Sequence, residues 1–160
     1  MHPILRKGDF IIISPFVDIL ELGDLVLIRD PLDQRSNVVR RVVAIGQEQI
    51  VINSNGTLYI GENMIEQKEL DHDENFRYIE EILHHKDNPK KWRIAKRLDV
   101  GMEINRTFSV SSDRIFVISD NRDEFIDSRY WGSIRHDDII GKVILRIGTK
   151  DLWQDYISLL

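Results

Sequence analysis

The chain has 160 residues, a net charge of −5 and no cysteine. Such a length builds one domain, or one domain with a sizeable insertion, around its own core. The lack of cysteine excludes disulfides, thiolate metal sites and cysteine nucleophiles. The acidic balance, with no long basic run, argues against a nucleic-acid partner, which needs positive surface to displace counterions from phosphates.

No stretch reaches the roughly 18 consecutive apolar residues of a membrane-spanning helix. The best, Phe10 to Leu22, is broken by Pro15 and Asp18. Arg6, Lys7 and Asp9 interrupt the apolar residues at the start, so no signal peptide is expected there, and the sequence reads as water-soluble.

In chain order, Gly8-Asp9 precedes Phe10-Ile11-Ile12-Ile13, and Gly23-Asp24 precedes Leu25-Val26-Leu27-Ile28. A turn dipeptide followed by four apolar, largely β-branched residues predicts a buried strand, here twice. Val38 to Ile45 is a third, with Arg40 and Arg41 in its middle. Gln49 to Asn53 and Thr57 to Ile60 flank Asn55-Gly56, whose tolerance of positive φ predicts a hairpin. From about Glu62 to Ser111 the pattern predicts an inserted subdomain, in which Phe76 to Leu83 and Trp92 to Leu98 read as strands or short helices. The acidic run Glu66 to Glu81 and the basic run Lys86 to Arg97 read as two solvated faces. Strand character returns at Arg114 to Ser119 and Lys142 to Ile147. The spacing of Leu152, Trp153, Tyr156, Ile157 and Leu160 predicts a short C-terminal helix.

Few residues offer chemistry by composition alone. His84-His85 point apart on a strand and have no companion ligands, so no metal site is predicted. Asp71-His72-Asp73 has no nucleophile placed by sequence, and no glycine loop is built to cradle phosphate. No cofactor is expected. The densest polar stretch runs from Ser119 to Gly132, Ser-Asp-Asn-Arg-Asp-Glu-Phe-Ile-Asp-Ser-Arg-Tyr-Trp-Gly. It reads either as a solvated loop with Asx turns or as a folded-in network of guanidiniums gripping carboxylates.

That stretch resembles the last signature box of bacterial type I signal peptidases, Gly-Asp-Asn-Arg-x-x-Ser-x-Asp-Ser-Arg with a following Tyr-Trp-Gly. Asp120, Asn121, Arg122, Asp127, Ser128, Arg129, Trp131 and Gly132 fall in place. Met1-His2-Pro3-Ile4-Leu5 with Gly8-Asp9 resembles the end of the Ser-Met-x-Pro-Thr-Leu box. Gly23-Asp24-Leu25-Val26, Arg40-Arg41-Val42-Val43, Thr57 to Ile60 and Ile139 to Val143 match the remaining boxes in family order. The likeness spans essentially the whole chain and is weakest from Glu62 to Ser111. It separates the sequence from the self-cleaving repressors, which share the dyad and a related fold. The fold it implies is mainly β: one domain over residues 1–160, a twisted, partly closed antiparallel sheet with an insertion at about 62–111.

The resemblance implies a serine endopeptidase with a Ser–Lys dyad, at the outer face of the bacterial cytoplasmic membrane. A lysine kept neutral by apolar burial takes the serine's proton. The substrate is an extended segment of a secreted precursor, its signal-peptide region, held by strand addition with small residues in two shallow pockets. By this likeness Met1, Pro3, Leu5 and Val39 line the groove. Arg41, Asp120, Asn121, Arg122, Asp127, Ser128 and Arg129 form a bracing polar network.

Three departures stand against catalysis. The nucleophile's position falls immediately before Met1. The general-base position falls on Arg40, and a guanidinium keeps its proton where a lysine can lose it. Phe125 stands where the family has a serine that orients the base, and Ser119 replaces the box's leading glycine. The Arg40 guanidinium is expected to lie on the Phe125 ring. Three readings follow: a non-catalytic module for an extended peptide or membrane partner, which is favoured; an active peptidase whose serine lies upstream and whose base is a substitute such as Lys7 or Lys142; and a purely structural subunit.

Overall fold

The computed structural model describes residues 1–17, 19–84, 89–99 and 105–148, and the backbone of 157–159. Its strands are β1 (Phe10–Ser14), β2 (Leu25–Arg29), β3 (Asn37–Ile45), β4 (Gln49–Ile52), β5 (Leu58–Ile60), β6 (Asn63–Met64) and β7 (Glu66–His72). After these come β8 (Phe76–Leu83), β9 (Lys90–Arg97), β10 (Arg106–Ser109), β11 (Arg114–Ile118), β12 (Ile134–Arg135), β13 (Ile139–Ile147) and β14 (Ile157–Leu159). A short helix, α1 (Ser128–Trp131), precedes β12, and a 3-10 turn, His136–Asp138, follows it. Among the described residues every strand pairing is antiparallel, in three sheets: β1-β13-β2-β3-β11-β12 with β14 on β13, then β10-β4-β5-β6, then β7-β8-β9.

The two Gly-Asp strands share one device. Gly8 and Gly23 take φ of 99° and 93°, conformations that favour glycine. The aspartate that follows accepts the backbone N–H three residues back, Asp9 from Arg6 at 2.9 Å and Asp24 from Glu21 at 2.8 Å. Each aspartate then grips a cation on β13: Arg146 Nε lies 2.7 Å from Asp9 and Lys142 Nζ 2.8 Å from Asp24. The repeated dipeptide therefore fixes both strands against the same neighbour.

Alternation along β3 and β11 divides the core in two. Val43, Phe116 and Ile118 face a cluster completed by Ile50, Leu58, Ile79, Trp92 and Ile94 from the two smaller sheets. Val42, Ile115 and Val117 face the opposite way, onto Val26, Ile28, Ile134 and Ile139. Because adjacent strand residues point to opposite faces, Arg40 and Arg41 enter different sides of this layered core. Both are nonetheless buried.

The segment read as an insertion holds the β7-β8-β9 sheet, and β10 returns to pair with β4. The two ambiguous runs, Phe76 to Leu83 and Trp92 to Leu98, are strands paired to each other along their length. At the other end, the expected helix over 150–160 is replaced where it is described. Ile157–Leu159 is a strand pairing Leu145–Ile147, because the end of β13 offers a ladder of backbone groups that a strand satisfies and a helix would not. Residues 150–156 and 160 of that expectation lie outside the described residues. Among the described residues, no helix is long and apolar enough to cross a membrane, and no cluster of three or more His, Asp or Glu could hold a metal ion.

Candidate functional site

The Ser119–Gly132 loop leaves β11 and is stitched at once to β9. Ala95 N–H donates to the Asp120 carbonyl, and Arg122 N–H donates to the Ala95 carbonyl, both at 2.9 Å. This makes a single parallel bridge between Asn121 and Ala95. Asp127 then turns the chain: its carboxylate accepts Ser119 N–H at 2.9 Å and caps α1 by accepting Arg129 N–H at 3.0 Å. Ser128 Oγ accepts Val117 N–H at 3.0 Å, a buried donor that the β11 ladder leaves over.

Arg129 is the hub of this loop. Its Nε lies 2.9 Å and its Nη2 2.6 Å from the Asp127 carboxylate, a two-point grip. Nη1 donates to the Arg122 carbonyl at 2.6 Å, and Nη2 also reaches the Glu124 carbonyl at 2.9 Å. The guanidinium carbon sits 4.7 Å above the Phe125 ring. The cation expected on Phe125 was that of Arg40. Arg129 holds the ring instead, because the turn at Asp127 folds it back over the residue four places earlier, while Arg40 is drawn to a carbonyl.

That carbonyl is Ile126 O, which accepts from Arg40 Nε at 3.1 Å and from Nη2 at 2.8 Å. Nη1 donates to Val39 O at 2.7 Å. Glu124 lies 3.9 Å away. Arg40 is 5% exposed, so its charge is held in a nearly dry site between β3 and the loop.

Arg41, on the other face, forms a two-point pair with Asp120, Nε to Oδ1 at 2.6 Å and Nη2 to Oδ2 at 2.7 Å. Its third arm donates to the Gly23 carbonyl, and its guanidinium lies 5.6 Å from the Trp92 ring. The polar residues singled out in sequence thus gather in two separate ion pairs, Arg41–Asp120 and Arg129–Asp127. Asn121 joins through its backbone; its Oδ1 is buried without a hydrogen-bond partner.

Arg122 has a partner that sequence reasoning missed. Its Nη2 bonds Glu81 on β8, a carboxylate with no exposed surface. Glu81 also accepts from Trp92 Nε1 at 2.7 Å and from Gln67 Nε2 at 2.9 Å. Burial pushes the Arg122 guanidinium's pKa down, and the Glu81 charge opposes that shift. Burial likewise lowers Lys96, whose Nζ donates to Gln67 Oε1 at 3.1 Å. The signal for Glu81 was available: Ile79, Glu81 and Leu83 share one face of β8, and a carboxylate in an apolar row implies a buried partner.

The residues expected to line a groove are Met1, Pro3, Leu5 and Val39. Met1 Sδ is 3.9 Å from Ser119 Oγ, and the Met1 nitrogen is 3.9 Å from Glu124. Leu5 N–H bonds back to Met1 O at 3.0 Å, and Pro3 lines a cleft shared with β8 and β9. Val39 lies on an open strand edge. Val42 N–H donates to Asp24 O, so alternation turns Val38 and Arg40 toward β2 and turns Val39 and Arg41 the other way. β11 pairs β3 only from Arg41 onward, which leaves the Asn37–Val39 edge without a partner strand among the described residues. Lys142, weighed as a substitute base, is ion-paired to Asp24.

The family model described as "Signal peptidase, peptidase S26" matches residues 1–148. Signal peptidase I of Pseudomonas fluorescens is 26% identical, over 89% of this chain and 59% of its own length. That of Pseudomonas aeruginosa is 24% identical, over 89% and 56%. The chain therefore spans rather less than two thirds of the length of these relatives. A crystal structure of a signal peptidase I from Enterococcus faecalis aligns with a TM-score of 0.47 and 18% identity, covering 78% of this chain and 97% of that one. With its boxes in order and the family model matched over nearly its whole length, the chain belongs to the signal peptidase family, peptidase S26.

Proposed function

We propose that this signal-peptidase-type domain holds an extended peptide along the open edge of β3 and does not cleave it. The observation that carries the reading is the state of Arg40. A Ser–Lys dyad needs at this position a neutral amine with a free lone pair. A guanidinium has no lone pair to offer and keeps its proton. Here its three nitrogens are also committed, to Ile126 O and Val39 O. The buried charge is thus satisfied where it stands, which favours a stable replacement for the base over a poised one.

The open edge supports the binding half of the reading. An extended peptide adds to such an edge through backbone bonds, with its side chains in the flanking pockets. Asn37 and Val39 turn their backbone N–H groups outward there, while the Val39 carbonyl is already held by Arg40 Nη1. Phe125, the other changed position, is engaged by Arg129 and is 36% exposed. A precursor's signal-peptide region, presented at a membrane surface, is the peptide the family resemblance points to.

The test is hydrogen exchange read by mass spectrometry, with and without a peptide spanning a signal-peptide cleavage region. Slowed exchange in the peptic fragment carrying Asn37 to Val39, with the peptide recovered intact, is expected. Peptide cut after a small residue, or no change in exchange along β3, overturns the proposal.

A further inference from the structure

The open end of β3 offers few backbone groups to a partner. Strand alternation points the N–H and C=O of Asn37 and Val39 away from β2. A strand laid on such an edge, parallel or antiparallel, gives a carbonyl to each N–H and an N–H to each carbonyl. One of these groups is already taken. The Val39 carbonyl accepts from Arg40 Nη1 at 2.7 Å.

The guanidinium is fixed in that position from its other side. Its Nε and Nη2 hold Ile126 O at 3.1 and 2.8 Å, and the side chain is buried. Arginine carries five N–H donors and no acceptor. It therefore suits an incoming peptide carbonyl and opposes an incoming peptide N–H. The second lone pair of the Val39 carbonyl gives no way round, because an N–H brought to it comes up against the hydrogens of the guanidinium. The edge is thus short of one acceptor and rich in donors.

We propose that the peptide held along β3 carries, facing the Val39 carbonyl, a residue without a backbone N–H, that is, proline. The inference rests on the peptide-holding reading above and names the residue that this edge selects. Proline keeps its own carbonyl as an acceptor and lacks only the donor for which Arg40 leaves no place. Its fixed φ suits an extended chain, and an added strand is an edge strand, where proline is tolerated. An N–H buried there without an acceptor costs a factor of about 5 to 150 in affinity. Water reaches an edge in part, so a cost near the lower end, about tenfold, is expected.

The experiment is fluorescence anisotropy with three fluorescein-labelled peptides on one alanine-rich extended core, differing at a single central residue: alanine, proline or N-methylalanine. N-methylation removes the N–H without adding the proline ring. With the wild-type protein, the proline and N-methylalanine peptides are each expected to bind about tenfold more tightly than the alanine peptide. Arg40→Met frees the Val39 carbonyl and is expected to close the gap to within about twofold, through a gain by the alanine peptide. The wild-type comparison stands whether or not that variant folds. Equal binding of the three peptides, or tighter binding of the alanine peptide, overturns the inference and leaves the peptide-holding reading intact. A gain with proline and none with N-methylalanine also overturns it, since the ring and not the missing N–H would then be recognised. Binding of none of the three overturns both readings. A preference that survives Arg40→Met overturns the role given to this guanidinium.

Discussion

Replacing Glu81 by Gln removes one negative charge and one of its two acceptor oxygens, the one that takes Gln67 Nε2. Glutamine still presents an oxygen to Trp92 Nε1, 2.7 Å away in the native side chain. What it cannot do is balance the Arg122 guanidinium, 5% exposed and bonded from the signature loop to Glu81 on β8. Arg122 Nε is already buried without a hydrogen-bond partner, so the lost carboxylate has no local substitute. Breaking a buried pair from one side costs about 3–5 kcal/mol. For a chain of this length that is a fall in Tm of about 6–20 °C. Urea denaturation should show the same loss as a lower midpoint with an unchanged m-value. The double variant Glu81→Gln, Arg122→Met removes both charges and keeps the Trp92 acceptor. It should lie closer to wild type than Glu81→Gln alone, giving a coupling of about 1 kcal/mol or more. A Glu81→Gln variant within about 1 kcal/mol of wild type, or effects that simply add, would refute the claim that this pair staples the β7-β8-β9 sheet to the signature loop.

The other predictions concern the same framework. Asp120→Asn leaves the buried Arg41 guanidinium with a neutral partner and should lower stability by about 3–5 kcal/mol in the same urea assay. Ser128→Ala strips the acceptor from a buried Val117 N–H and should cost about 1–3 kcal/mol. Gly141→Ala should destabilise by about 1–3 kcal/mol, since a Cβ there would meet Ser14 O at 2.7 Å. The Tyr78 phenol, whose O–H donates to the Asp73 carboxylate, is pushed up to about 12. Ionising it breaks that bond and sets two negative charges together, so Asp73→Asn should bring its titration, followed by ultraviolet absorbance, back down toward 10.0.

Much of this architecture could be read from the sequence because its cues are local. The Gly-Asp turns, the Asn55-Gly56 hairpin and the arginine pair on β3 each announce themselves within a few residues. The β13 partners of the two aspartates do not, since Arg146 lies far along the chain from Asp9. Glu81 was hidden by its neighbourhood: a run of acidic residues reads as a solvated face, and only the parity of Ile79, Glu81 and Leu83 on one strand betrays its burial. The same parity places Trp92 and Lys96 inward on β9. The stacking of Arg129 on Phe125 depends on how tightly the loop turns at Asp127. The terminal strand depends on a free ladder at the end of β13. Helical spacing competed with that ladder and, at Ile157–Leu159, gave way.

The proposal that Arg40 stands in place of a catalytic base is the point on which the account turns. It is tested most directly by incubating the full natural protein in detergent with a precursor that carries a signal peptide, and reading the products by mass spectrometry. An Arg40→Lys, Phe125→Ser double variant is run alongside. The account predicts intact precursor with the wild-type protein at every pH tried. Wild-type product ending at a small residue would contradict it, for it would mean that some group other than Arg40 accepts the nucleophile's proton.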